Sequence, residues 1–189
     1  VLSGVDWSLS TLDGDSWTDC SFLQSDLSEL TARRCVFSRC DFTGVRFNGS
    51  KFTSCAFLHC TFRRSSLFAA ELVDCKMTGS IFVECSMRPM KVDGGDWRYV
   101  DLRAADLSRA DLRGLKLAEA DLSKADLRKA DLRDADLSYV RVEGVKLAGA
   151  DLRGAKLDGV RLATIDLRDV RIDIIQAALV AQAYGAHVS

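Results

Sequence analysis

Two residue types recur in this 189-residue sequence regularly enough to suggest chemistry, aspartate and cysteine. The cysteines (Cys20, Cys35, Cys40, Cys55, Cys60, Cys75 and Cys85) are the residue type that holds soft metals or carries redox chemistry. Rows of aspartate are the type that binds hard cations or supplies an acid and a base. Neither pattern fits the spacing. No two cysteines stand in C-x-x-C spacing, only His59 and His187 accompany them, and no glycine-rich phosphate loop or nucleophile elbow occurs. The chain is expected to work without catalysis, metal or cofactor.

Position in the chain accounts for both residue types. Every cysteine falls at a number divisible by five, and two residues further on stands a large apolar side chain. That second series runs from Leu2 through Trp7, Phe42, Phe62, Met77, Trp97 and Leu132 to Ile172 without an insertion, and its only small member is Ala32. A period of five matches neither the 3.6 of a helix nor the 2 of a simple strand, so successive leucines would drift around a helix and form no buried stripe. A unit that cannot bury its own apolar residue must stack on copies of itself, which defines a solenoid. Residues 1–172 are expected to form one such domain. The cysteines then fill its core as reduced thiols, alongside alanine, serine and valine at the same positions.

Composition agrees with a folded, non-membrane protein: 48% of residues are hydrophobic, the formal net charge is −1, and no apolar run is long enough to span a bilayer. A signal peptide is not evident in the sequence, and a cytoplasmic location is expected. Core type changes along the chain, from Phe and Cys up to Cys85 to Leu and Ala from Leu102. Between them SMRPMKVDGGDW carries the only proline, Pro89, and predicts a bend or local irregularity. After Ile172 the pattern gives way to residues 173–189. Asp173 and Gln176 make a capping-box start and Gly185 a stop, predicting a short helix over 174–184. Ile174, Ile175, Ala178, Leu179 and Tyr184 cover more of that helix than one packing face needs, which predicts a tail-to-tail homodimer through it.

The repeating unit, a small residue, Asp or another polar residue, Leu or Phe, then two variable residues, resembles the pentapeptide-repeat family over residues 2–172. Within that family the unbroken register, MTGSIFVECSMRPM at 77–90, DLRGL at 111–115 and the tail DIIQAALVAQAYGAH resemble the mycobacterial fluoroquinolone-resistance type, MfpA/Qnr-like. The resemblance implies an all-β fold, a right-handed quadrilateral parallel β-helix of four repeats per coil, with a short C-terminal capping and dimerisation helix. At about 4.8 Å per coil the rod would be roughly 40 Å long. It also implies a DNA-mimicking rod that binds DNA gyrase and confers tolerance to fluoroquinolones. The alternative is an interaction scaffold with another partner.

With four repeats per coil, residues twenty apart stack. Asp111, Asp131 and Asp151 then form one column and Arg113, Arg133 and Arg153 the column beside it; stacked thiols one coil apart could in principle reach disulfide geometry, with reduced thiols the expected state. The face that holds Asp93, Asp111, Asp131, Asp134 and Asp151 is the candidate acidic partner-binding stripe, although no face departs from neutrality by more than one charge. Phe68 is the one phenylalanine out of the inward register and a candidate partner contact; Tyr99 and Tyr139 also point outward. Arg33, Arg34, Arg39, Arg63 and Arg64 make the N-terminal half patchily basic, but the aromatics face inward rather than interleaving with them, so direct nucleic-acid binding is not expected.

Overall fold

The computed structural model describes residues 2–188; Val1 and Ser189, at the ends of the two expected regions, lie outside the described residues. The five-residue unit sets the architecture. Each large residue of the register and the small residue two before it turn inward, and the other three face solvent. Phe22, Phe37, Phe42, Phe62, Leu102, Leu122 and Leu132 are all at or near zero exposure. Four such units close one coil, and every backbone pairing joins residues twenty apart in parallel: Thr11 with Thr31, Phe37 with Phe57, Asp131 with Asp151. The product is a four-sided parallel β-solenoid whose core is one column of side chains.

Ten three-residue strands lie in the first half: β1 (Thr11–Asp13), β2 (Ser16–Thr18), β3 (Thr31–Arg33), β4 (Val36–Ser38), β5 (Lys51–Thr53), β6 (Ala56–Leu58), β7 (Thr61–Arg63), β8 (Glu71–Val73), β9 (Ile81–Val83) and β10 (Lys91–Asp93). They stack as β1-β3-β5-β8-β10 on one face, β2-β4-β6 on the next and β7-β9 on a third. Beyond β10 the same path is followed by tight turns and single bridges. A leading aspartate goes with the turn form, although Ser21, Arg46, Ser66 and Lys116 lead single bridges as well. A leading aspartate accepts the amide two residues on, as Asp26 does from Ser28 at 3.0 Å and Asp131 from Arg133 at 3.2 Å. This local bond competes with extension, and the next corner closes by a bond such as Ala135 N–H to Leu132 C=O at 3.1 Å. None of the ten strands is led by aspartate.

Core composition changes where the sequence changes. Trp17, Phe37 and Phe57 stack face to face in one column, and Phe22, Phe42, Phe62 and Phe82 in another, with centroids 4.6–5.0 Å apart. The columns end at Trp97, beyond which leucine takes over. All seven cysteines are free; five are buried and Cys20 and Cys85 half-buried, as core filler should be. The expected irregularity around Pro89 is present. The Arg88–Pro89 peptide is cis, and the amides of Met87, Val92 and Gly94 donate to no backbone carbonyl of the following coil. Arg88 crosses that gap to Asp106 and Ser108. Gly95 has a φ of +105°, and a Cβ there would lie 2.2 Å from the Cys75 carbonyl oxygen, so only glycine fits.

The last coil departs from the sequence expectation. Leu162 and Leu167 keep the five-residue register, yet Leu162–Thr164 form a 3-10 turn and ladder bonds lapse beside it. The helix α1 (Ile174–Ala183) then closes the end of the core. Its capping box is complete, with Asp173 accepting from the Gln176 amide and Gln176 from the Asp173 amide. The Gln176 side chain is buried and donates to the carbonyls of Leu152, which also takes the Ala155 amide, and of Ala155, which a further coil would otherwise meet. Among the described residues no helix is long and apolar enough to cross a membrane.

Candidate partner-binding face

The twenty-residue register puts Asp93, Asp111, Asp131, Asp134 and Asp151 on the face that begins with β1 and β3. Their chemical states differ. In each D-L-R unit the arginine folds back on the aspartate of its own repeat as a two-pronged clamp. Arg133 meets Asp131 at 2.9 and 2.6 Å, Arg153 meets Asp151 at 2.9 and 2.6 Å, and Arg113 meets Asp111 at 2.8 and 2.6 Å. Arg113 also lies 3.8 Å from Asp131 one coil on. The clamps hold the carboxyls of Asp111 and Asp131 below the usual carboxylate range, and that of Asp151 at about 2. Asp93 and Asp134 have no such partner; among the described residues neither comes within 4 Å of a cationic nitrogen. The Asp134 carboxylate lies over Gly154, where a Cβ would sit 2.2 Å from its Oδ1.

The same clamp recurs on the other faces, at Asp96–Arg98, Asp101–Arg103, Asp126–Arg128 and Asp166–Arg168. In the N-terminal half pairing runs between coils instead, Arg34 to Asp13, Arg39 to Asp19 and Arg46 to Asp26, each at 2.6–2.7 Å. Of the basic positions picked out in that half, Arg33, Arg63 and Arg64 remain without an ion pair among the described residues, while Arg34 and Arg39 are engaged.

Phe68 is 53% exposed but stands on a different face, in the register of Asn48 and Arg88, so the structure does not bring it to the acidic stripe. Tyr99 and Tyr139 share a third face. The Glu119 carboxylate beside Tyr99 pushes its phenol up, and the Tyr139 ring lies against Gly159. On α1, Ile174, Ile175 and Tyr184 are 84%, 72% and 68% exposed. Ala178 and Leu179 are half-buried, Leu179 packing on the core. Among the described residues no three His, Cys, Asp or Glu side chains converge as a metal site.

A four-sided solenoid built on a five-residue unit defines a pentapeptide-repeat protein, and the chain belongs to that family. Family models described as a pentapeptide repeat region and as pentapeptide repeats (8 copies) match residues 45–122 and residues 20–57 and 135–172. Among individual proteins, the chain is 42% identical over 95 residues to the pentapeptide repeat protein MfpA of Mycobacterium tuberculosis, over 48% of this chain. That match spans about half, 52%, of the relative's length. A trypsin-treated variant of QnrB1, a plasmid-mediated fluoroquinolone resistance protein, superposes with a TM-score of 0.88 over 100% of this chain and 97% of that one, at 22% identity. A second trypsin-treated variant of QnrB1 gives 0.76 over 95% and 100%, at 19% identity. At these identities the QnrB1 likeness is one of fold.

Proposed function

We propose that this protein is a non-enzymatic rod that binds DNA gyrase at the surface meant for DNA and so gives tolerance to fluoroquinolones. The observation that carries the reading is the 42% identity to MfpA, on a fold shared with QnrB1. What the rod presents is a short set of free carboxylates rather than a continuous acidic stripe. Asp93 and Asp134 lie on one face with Asp74, and with Glu71 3.9 Å from Lys51, while the clamped Asp111, Asp131 and Asp151 supply shape with their charge largely offset. Ile174, Ile175 and Tyr184 on α1, with Ala178 and Leu179 beneath them, are the proposed dimer contact, which would double the face about the C-terminal end.

The test is DNA supercoiling by purified gyrase, titrated with this protein with and without ciprofloxacin. Inhibition or drug rescue at micromolar concentration supports the reading, and Asp93→Lys with Asp134→Lys should weaken it at least about tenfold. No effect at large molar excess removes it. A net charge of −1 and the recurrent Arg–Asp clamps favour the second reading, an interaction scaffold for another protein. That reading predicts no response from gyrase and a partner recoverable by cross-linking.

A further inference from the structure

On the face that carries Phe68, charge is not balanced as it is on the other three. The twenty-residue register stacks Arg88, Ser108, Arg128 and Ala148 in one column, with Arg109, Lys129 and Gly149 in the column beside it. Ladder bonds fix the spacing: the Arg109 amide donates to the Arg128 carbonyl at 2.9 Å and the Lys129 amide to the Ala148 carbonyl at 3.0 Å. Arg109 and Lys129 therefore stand one rung apart, about 4.8 Å. One coil further on, Ala148 and Gly149 are too small to fill the positions that Arg128 and Lys129 fill. The Lys129 stem leans over Gly149, where a Cβ would lie 3.1 Å from its Cγ. What remains is a hollow of about 470 Å³ lined by Arg88, Ser108, Arg109, Arg128, Lys129 and Ala148.

Among the described residues no carboxylate lines that hollow. Other grooves of the C-terminal half mix both signs: Glu143 stands with Arg161 in one, Asp166 and Asp169 with Lys146 in a second, Asp101 and Asp121 with Arg103 in a third. Of the four cations here, two are already matched, since Arg88 lies 3.2 Å from Asp106 and Arg128 clamps Asp126. Arg109 and Lys129 have no ion pair among the described residues, so the hollow keeps two uncompensated positive charges. Carboxylates across the edge do not cancel them, because Arg113 and Arg133 hold Asp111 and Asp131. The groove beyond Ala148 adds Lys146 and Asp169, one unpaired charge of each sign. The matched arginines still have donors to give. Arg128 meets Asp126 through Nε and Nη2, and Arg88 meets Asp106 and Ser108 through Nη1. Among the described residues this leaves the Arg128 Nη1 and the Arg88 Nε and Nη2 without an acceptor.

We propose that this hollow binds the phosphoryl group of a phosphate monoester. Such a group carries about −1.5 to −2 at pH 7 and three acceptor oxygens, which suits two uncompensated cations set among guanidinium donors. A carboxylate or a phosphodiester brings a single charge and leaves the other cation unmatched. Ala148 is the only apolar residue in the lining, so recognition is confined to the phosphoryl group and the rest of the ligand lies outside the hollow. The site adjoins the acidic face and does not depend on gyrase being the partner of that face.

The test is an NMR titration of the full chain at low salt, following backbone amides and arginine Nε signals. Two probes share the chemistry, a peptide with one phosphoserine and adenosine monophosphate. At least one should saturate with a Kd below about 1 mM and shift the signals of Arg88, Arg109, Arg128 and Lys129 selectively. A preference for the peptide assigns the group to a modified partner protein and a preference for the nucleotide to a free phosphate ester; each supports the proposal. Arg109→Ala or Lys129→Ala should weaken binding at least about fivefold, and Ala148→Glu, which sets a carboxylate on the floor, should abolish it. All three positions are exposed, so the urea midpoint should not move. Asp126→Asn, which frees the charge of Arg128, should tighten binding about threefold. Lys156→Ala removes an exposed cation from another face and should change nothing. The methyl diester of the phosphopeptide should bind at least about tenfold more weakly than the monoester. Failure of both probes to saturate overturns the proposal. So does a diester that binds as tightly as the monoester, or an equal loss in Lys156→Ala, since either reduces the hollow to diffuse surface charge.

Discussion

At the scale of single residues, stability rests on two kinds of position, those where only glycine fits and those where a carboxylate is clamped. Gly95→Ala drives a Cβ into the Cys75 carbonyl, whereas Gly114, also at positive φ, has nothing within 4 Å of that site. The first substitution should cost about 3 kcal/mol or more and the second only the roughly 1–2 kcal/mol of a left-handed alanine, a difference readable in urea midpoints. The clamps predict acid sensitivity. Arg46 holds the Asp26 carboxyl at about 2, and Arg153 does the same for Asp151, against an ordinary 3.8. Both are depressed in the folded state, so their stabilisation is complete above pH 4 and is lost as pH falls towards 2. Both pairs face solvent, so the effect is small. Asp151→Asn should lower the urea midpoint slightly at pH 7 and leave it nearly unchanged at pH 2, which flattens the fall between pH 4 and 2.

At the scale of elements, the helix end is a plug. Gln176 donates to two buried carbonyls of the last regular coil, those of Leu152 and Ala155, besides closing the capping box. Gln176→Leu keeps the helix former but strands the Ala155 carbonyl, while that of Leu152 retains the Ala155 amide, and should cost about 1–3 kcal/mol, with faster amide exchange over 174–183. Asp173→Ala removes the cap and also the acceptor of the Gly154 amide, 2.7 Å away, and should cost about 1–2 kcal/mol. The cap was legible in the sequence, because Asp173 and Gln176 stand at the required spacing before an apolar run. That Gln176 also faces inward was not, since its burial depends on where the last coil stops. The register was legible for a similar reason: one apolar residue in five has no other way to be buried. The 3-10 turn of the last coil was hidden because Leu162 and Leu167 keep that register. The available signal lay in Val160 and Ile165, branched residues in a series otherwise dominated by alanine.

At the scale of the whole molecule, the sequence predicts a pentapeptide-repeat solenoid and the fold is one. The five aspartates share one face, as stacking at twenty residues requires, yet their ionic state could not be read from order alone. D-L-R looks like a stacked column of charge facing its neighbour, whereas each arginine bonds first to the aspartate of its own repeat. If gyrase is the partner, as proposed, inhibition should therefore depend on Asp93 and Asp134 more than on Asp131, a ranking that supercoiling assays on single charge-reversal variants will check. Sedimentation should report a dimer that Ile174→Glu with Ile175→Glu dissociates, with circular dichroism unchanged.

The twenty-residue register makes length and orientation discrete. Removing or duplicating four consecutive units would shorten or lengthen the rod by one rung and leave every exposed side chain facing as before. Removing a single unit would swing everything beyond it through a quarter turn. A deletion of five residues ahead of Asp111 would therefore carry Asp131, Asp134 and the C-terminal helix to a new side of the molecule while leaving the core intact, so surface geometry can change by rotation with no change of surface residue.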